Sequence, residues 1–143
     1  MYQPSQLDVR RFFCATYRQG LAGAPLDPMQ QIAWPWVQRH PEYHPELTDE
    51  ASALALDYPV DGGRTNPFLH LAMHLSISEQ CGIDQPSGIR QALQLLAAKL
   101  GSEHEAHHVA MEALGRMVWE SQRSGRPPDG EAYLEAVRRA ATA

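Results

Sequence analysis

The stretch NPFLHLAMHLSISEQ, residues 66–80, decides the fold class. Asn66 followed by Pro67 is typical of a helix start, because an Asn side chain accepts hydrogen bonds from first-turn N–H groups and Pro fits the first helical position. The residues that follow are apolar on every side, as in a buried helix. We therefore predict a buried helix that begins at Asn66 and ends near Gly82.

The rest of the chain shows the same kind of helical signals. Cap-forming residues precede apolar residues at helical spacing, glycines follow them, and no segment alternates as a strand does. Pro35 lies inside one helical segment and predicts a kink or break near Trp34, and DYPVDGGRTN (57–66) predicts a loop. The sequence thus predicts an all-α helical bundle of about five to seven helices in one domain, residues 1–143.

Composition narrows the class of protein. The chain has 143 residues, 12 Lys+Arg and 17 Asp+Glu, and a net charge of -5. Because its basic residues are mostly scattered, nucleic acid is not an expected partner. No apolar run approaches the ~20 residues that cross a membrane, and the N-terminus lacks the plan of a signal peptide. We expect a soluble, cytoplasmic protein with reduced thiols and no membrane partner, while the oligomeric state is not indicated.

The histidines carry the strongest functional signal. Six of the seven fall into three pairs with the same spacing of four residues: His40/His44, His70/His74 and His104/His108. Residues four apart on a helix lie on one face, so each pair can direct two ring nitrogens at one point. Glu112, four residues beyond His108, extends the last row. We predict that these seven residues are metal ligands.

The number and type of these ligands indicate the kind of metal. Seven candidates exceed the four ligands of a tetrahedral zinc and approach the number that a dinuclear site in a helical bundle needs. Imidazole-rich ligation suits iron, zinc, nickel or copper rather than magnesium or calcium. The sequence predicts a His-rich mono- or dinuclear transition-metal centre, with iron or zinc first and nickel or copper as alternatives.

Two other interpretations compete with a metal centre of this kind. The His pairs can be structural, hydrogen-bonded core residues, and we assign His107, outside the pairs, to that class. HEAHH (104–108) also fits the metallopeptidase motif H-E-x-x-H, with Glu105 as general base. We rank the peptidase reading low, because the sequence shows no strand against which a peptide substrate would lie.

Several motifs carry a family resemblance. HPEYH, then NPFLHLAMHLSISEQ followed by IDQPSGI, then MEALGRMVWESQR resemble, in this order, a family of small proteobacterial proteins catalogued as a domain of unknown function, number eighteen forty-one. The resemblance spans nearly the whole chain and implies one intact domain, without a mechanism.

The distribution of histidines is also similar to that of two groups of helical bundles. Hemerythrin-like bundles hold two irons with five His and two carboxylates, and DinB-like bundles hold one zinc or nickel with about three His. The spacing in this sequence reproduces neither group's full motif, so we transfer no residue role from either. The number of candidate ligands, six paired His and one Glu, is more similar to that of the hemerythrin-like group.

Three functions follow as hypotheses. The first is a non-catalytic or sensory metal- or oxygen-binding protein. The second is a metal-dependent enzyme, such as a DinB-like thiol transferase or a hydrolase, in which an open coordination position activates water or a thiol. The third is a metal-free interaction module whose His pairs are structural.

Overall fold

The computed structural model describes residues 5–55 and 66–143, and within these ranges it is helical without a strand. The α-helices are α1 Gln6–Ala22, α2 Pro28–Gln38, α3 His44–Thr48, α4 Glu50–Ala55, α5 Pro67–Ile83, α6 Ile89–Leu100, α7 Glu103–Ser124 and α8 Gly130–Thr142, with a 3-10 turn at Pro41–Tyr43. This confirms the all-α prediction. The described ranges hold eight helices rather than five to seven, because the segment after α2 forms two short helices. The loop predicted at 57–66 lies, except for Asn66, outside the described residues.

The chain divides into two compact units, Met1–Leu75 and Ser76–Ala143. Helix α5 begins in the first unit and ends in the second. The single domain that the sequence predicts stays a prediction. Among the described residues, every helix is too short or too polar to cross a membrane.

In the first unit, α1 packs against α2, α3 and α4. Ser5 and Asp8 form the capping box that starts α1. The Arg10 guanidinium donates a hydrogen bond to the Ala53 carbonyl at 2.9 Å and so ties α1 to α4. The core contains these buried apolar residues: Phe13, Cys14, Ala33, Trp36, Val37, Leu47, Ala53, Phe68 and Leu71.

Helix α2 runs through Pro35 to Gln38, so a break near Trp34 is wrong, and the alternative of a kink there stays a prediction. A proline removes one helical hydrogen bond because it has no N–H group. The last turn of α2 is still hydrogen-bonded, since the Arg39 N–H donates to the Pro35 carbonyl at 3.0 Å. The 3-10 turn Pro41–Tyr43 begins directly after His40.

Helix α5 begins as its sequence predicts. The Asn66 side-chain oxygen accepts hydrogen bonds from the N–H groups of Phe68 at 3.0 Å and Leu69 at 3.2 Å. The expectation of burial on every side is wrong, because Leu69 is 58% exposed. The buried residues of its first three turns are Pro67, Phe68, Leu71, His74 and Ile77. The last four follow one another at intervals of three residues, so the buried stripe winds around the helix.

In the second unit, α6, α7 and α8 pack against one another in pairs. Asp84 precedes α6 in a left-handed conformation, with φ 52°. Its carboxylate accepts hydrogen bonds from the N–H groups of Gly88 at 3.2 Å and Arg90 at 3.0 Å. The Tyr133 hydroxyl donates to the Gln80 side chain at 2.6 Å, which joins α8 to the end of α5.

The Asp84 cap generates a pH-dependent prediction. Hydrogen bonds from the Arg90 and Gly88 N–H groups lower the pKa of Asp84. A carboxyl whose pKa is lower in the folded chain stabilises the fold above its ordinary pKa, and this contribution disappears as the pH falls through the lowered value. We expect Asp84→Asn to lower the thermal midpoint at pH 7, and we expect its difference from the parent protein to shrink as acid protonates the Asp84 carboxyl of the parent. Thermal unfolding followed by circular dichroism at several pH values measures the difference in midpoint between the two proteins. A difference that stays constant with pH would contradict the prediction.

Candidate metal centre

Three histidines of the first unit lie side by side. His40 follows the end of α2, and His70 and His74 are one turn apart on α5. Their ring centroids are 5.0 Å apart for His40–His70 and 4.9 Å apart for both His40–His74 and His70–His74. One ligand atom from each ring lies within 4.8 Å of those of the other two. We call His40, His70 and His74 the histidine trio.

The end of α2 determines which nitrogen of His40 can bind a metal. The Nδ1 atom of His40 lies 2.7 Å from the Trp36 carbonyl oxygen. A carbonyl only accepts hydrogen bonds, so Nδ1 must donate, and in the neutral ring Nε2 is then the nitrogen with the lone pair. A backbone carbonyl on the second nitrogen is the usual partner of a metal-binding histidine, because it fixes the tautomer and the ring orientation.

Aromatic side chains hold two rings of the trio. The Trp36 indole stacks on the His74 ring, with centroids 4.1 Å apart and planes at 13°. The Tyr43 ring is parallel to that of His40, with centroids 5.2 Å apart. Burial, followed by the Glu42 and Glu46 carboxylates, raises the pKa of Tyr43, so its phenol is uncharged at neutral pH. His40 and His74 are only 3% and 0% exposed, whereas His70 is half-buried.

The second unit contains a histidine pair on the first turns of α7. The ring centroids of His104 and His108 are 4.5 Å apart, and both side chains are half-buried. The spacing of four residues therefore brings these rings together as predicted. We call His104 and His108 the histidine pair. The prediction that trio and pair share one centre stays a prediction.

Glu105 does not have the surroundings expected of a peptidase base. Its side chain is 64% exposed, and its carboxylate lies 3.9 Å from Nδ1 of His108. Its own N–H donates to the Ser102 cap. The described residues include no strand that would align a peptide.

His44 lies apart from the trio. Its Nε2 atom is 2.8 Å from the Val37 carbonyl and must donate to it, and its ring contacts Tyr17 at a centroid distance of 4.8 Å. The spacing of four fails here because His40 precedes the 3-10 turn while His44 begins α3, so the two residues do not share a helix face. His44 thus has a structural contact of its own.

Two further residues of α7 also lie outside the two groups of histidines. Glu112 is exposed and is not among the potential ligands that the described residues bring together. His107 is 4% exposed and is likewise absent from those ligands, in keeping with its assignment as a structural residue.

The distances within the trio suit a single ion. Two imidazole nitrogens that bind one metal at ~2.0–2.1 Å are at most about 4.2 Å apart. The trio's ligand atoms lie within 4.8 Å of one another, which is close to this separation.

Sequence patterns missed Trp36 and Tyr43, which position the rings. Trp36 precedes His40 by four residues, a spacing that allows a side chain after a helix to reach one of its last carbonyls. Tyr43 lies inside the HPEYH motif. Both positions were visible in the sequence, but their contacts depend on how α2 ends.

One protein family matches the chain. The model of the family Domain of unknown function (DUF1841) matches residues 5–139, which confirms the resemblance seen in the sequence. No curated protein and no solved structure matches the chain.

The contacts of His44 predict a structural role. His44→Ala removes the hydrogen bond to Val37 and should lower the free energy of unfolding by about 1 kcal/mol. The exposed Glu112→Ala change should stay within about 0.5 kcal/mol of the parent protein. Urea unfolding measures both, and equal stabilities of the two variants would contradict the role of His44.

Proposed function

Because the chain belongs to the family Domain of unknown function (DUF1841), whose description names no activity, we propose a function from the chain's own residues: it binds a transition-metal ion through His40, His70 and His74. The observation that carries this proposal is the approach of three imidazoles whose ligand atoms lie within 4.8 Å of one another. Three histidines are also the protein ligands of a well-known class of zinc sites.

The surroundings of the trio support the same proposal. The Trp36 carbonyl leaves Nε2 of His40 as the nitrogen for the metal, and stacking on Trp36 restricts the ring of His74. Rings that are already oriented lose less conformational freedom when a ligand binds. We therefore place the ion beside the last turn of α2.

The type of donor atoms favours zinc over iron. Among the described residues, the group of potential ligands contains histidines and no carboxylate. Non-haem iron sites usually include a carboxylate, whereas imidazole nitrogen alone suits zinc, nickel or copper. Because Glu112 is exposed, we propose one ion rather than a carboxylate-bridged pair of the hemerythrin type.

We extend the proposal to His104 and His108 as further ligands. Its support is that both helical His pairs have the same spacing and that the rings of His104 and His108 are close to each other on α7. The number of ligands then separates two functions. A tetrahedral zinc takes four ligands, so one further imidazole from this pair would fill its coordination, as in a metal-holding or sensory protein, whereas the trio alone would leave the open position that an enzyme needs.

Metal content tests the trio. Protein made without a His-tag should contain close to one equivalent of metal, as measured by elemental mass spectrometry. His70→Ala and His74→Ala should lose most of it, because each removes a ligand. His107→Ala and His44→Ala serve as matched controls and should retain it. Equal metal loss in all four variants would show that the trio is not the set of ligands. Parent protein that is purified without metal and takes up no added zinc would refute metal binding.

Fluorescence can locate the ion. In a Trp34→Phe/Trp119→Phe protein, the one remaining tryptophan is Trp36, whose ring stacks on His74. Copper or cobalt bound at the trio should therefore quench most of its emission, in proportion to occupancy. One equivalent of bound metal that leaves Trp36 emission unchanged would place the ion elsewhere.

Cobalt affinity tests the second step of the proposal. His104→Ala and His108→Ala should each weaken cobalt binding at least about tenfold, in the range seen when supporting groups of metal sites are removed. Azide should change the visible cobalt spectrum of these variants more than that of the parent, because a position has opened. If neither the cobalt affinity nor the visible spectrum of the variants differs from that of the parent, the trio binds the ion alone. A change in the parent's cobalt spectrum on addition of azide would favour an enzyme.

A further inference from the structure

A groove in the second unit has no histidine in its lining. It runs between the second half of α7, the connection 125–129 and α8, and has a volume of about 740 Å³. Pockets for small molecules usually measure roughly 300–1,000 Å³. The groove is therefore large enough for an organic ligand of ordinary size.

Arginines dominate the charge of the groove. Four guanidinium groups line it, together with the two carboxylates of Glu120 and Asp129: those of Arg116, Arg123, Arg126 and Arg139. The chain as a whole has a net charge of -5, so this excess of positive charge is local. Helix α7, the connection and α8 all contribute to it.

The two carboxylates neutralise only part of this charge. Glu120 is bound to Arg123, with a distance of 2.7 Å between nitrogen and oxygen. The Asp129 carboxylate caps α8 by accepting a hydrogen bond from the Ala132 N–H at 3.0 Å. Arg139 is 3.9 Å from Glu135, which is near the limit of an ion pair. Within residues 5–55 and 66–143, Arg116 and Arg126 thus have no carboxylate partner, and Arg139 has only this distant one.

Arg116 and Arg126 are the best placed to bind a ligand. Their guanidinium groups make no hydrogen bond or ion pair with any residue in 5–55 or 66–143. The backbone of Arg126 is nevertheless fixed, because its carbonyl accepts from the Ser121 hydroxyl at 2.6 Å and its N–H donates to Ser124 at 3.2 Å. Anchored backbone and unpaired guanidinium together are what a preformed anion site requires.

We propose that this groove binds a small molecule that carries a diphosphate or triphosphate group. Guanidinium groups bind phosphate oxygens in a two-pronged geometry. A single carboxylate would neutralise only one of the three weakly compensated arginines, whereas a polyphosphate matches their combined charge. Met117, Pro127 and the alanines of the lining give an apolar surface for the organic part of such a molecule.

Calorimetry with inorganic pyrophosphate at low salt tests the proposal. Pyrophosphate should bind the full chain more tightly than orthophosphate, and Arg116→Gln and Arg126→Gln should each weaken it about tenfold or more, which corresponds to 1.4 kcal/mol and to a lost charged hydrogen bond. Arg18→Gln, which changes a 66% exposed arginine of the first unit, is the matched control and should leave the affinity unchanged.

Further outcomes separate this proposal from the metal proposal. His70→Ala should bind pyrophosphate normally. Loss of binding in that variant would mean that pyrophosphate binds to the metal ion, and it would overturn the proposal for the groove. Absence of binding at millimolar pyrophosphate, or equal weakening in Arg18→Gln, would overturn it too. Tighter binding of an aspartate-rich peptide at Arg116 and Arg126 would identify an acidic protein segment as the occupant instead.

Discussion

The hydrogen bond between the Trp36 carbonyl and Nδ1 of His40 is the contact on which the candidate centre depends. The last carbonyls of a helix have no partner within it, and at the end of α2 an imidazole takes the place of the next backbone N–H. The same residue stacks its indole on His74. One position, Trp36, therefore orients a histidine that follows α2 and another that belongs to α5, two segments far apart in the chain.

Local signals in the sequence predicted most of the helices. The start of α5 at Asn66-Pro67, the Ser102 cap of α7 and the Asp129 cap of α8 all lie where side-chain chemistry places them. These features depend on neighbouring residues only. The exposure of Leu69 could not be predicted in the same way, because burial is decided by which other segments pack against a helix.

The same distinction explains the outcome for the histidines. Spacing of four residues brought rings together where both lie on one continuous helix, as for His70 and His74. It failed for His40 and His44, because Pro41 starts a new element between them. The contact between His40 and His70 joins segments that are distant in the chain. No periodicity in the sequence predicts such a contact.

The groove arginines show the limit of reading charge along a sequence. Arg116, Arg126 and Arg139 are well separated in the chain and look scattered. The reversal of direction between α7 and α8 collects them on one groove. A chain with a net negative charge can thus collect an excess of positive charge in one groove, and the positions of its arginines along the sequence do not show this.

In the part of the chain that the structure describes, the potential ligands around the trio are all histidines, and this affects the charge balance of a bound ion. Imidazoles bind metal ions in their neutral form, so a divalent ion held by histidines alone keeps its full charge. Charge interactions strengthen away from water, and His40 and His74 are almost completely buried. An ion there should therefore recruit an anion from solution, which links metal affinity to the concentration of small anions such as chloride or bicarbonate.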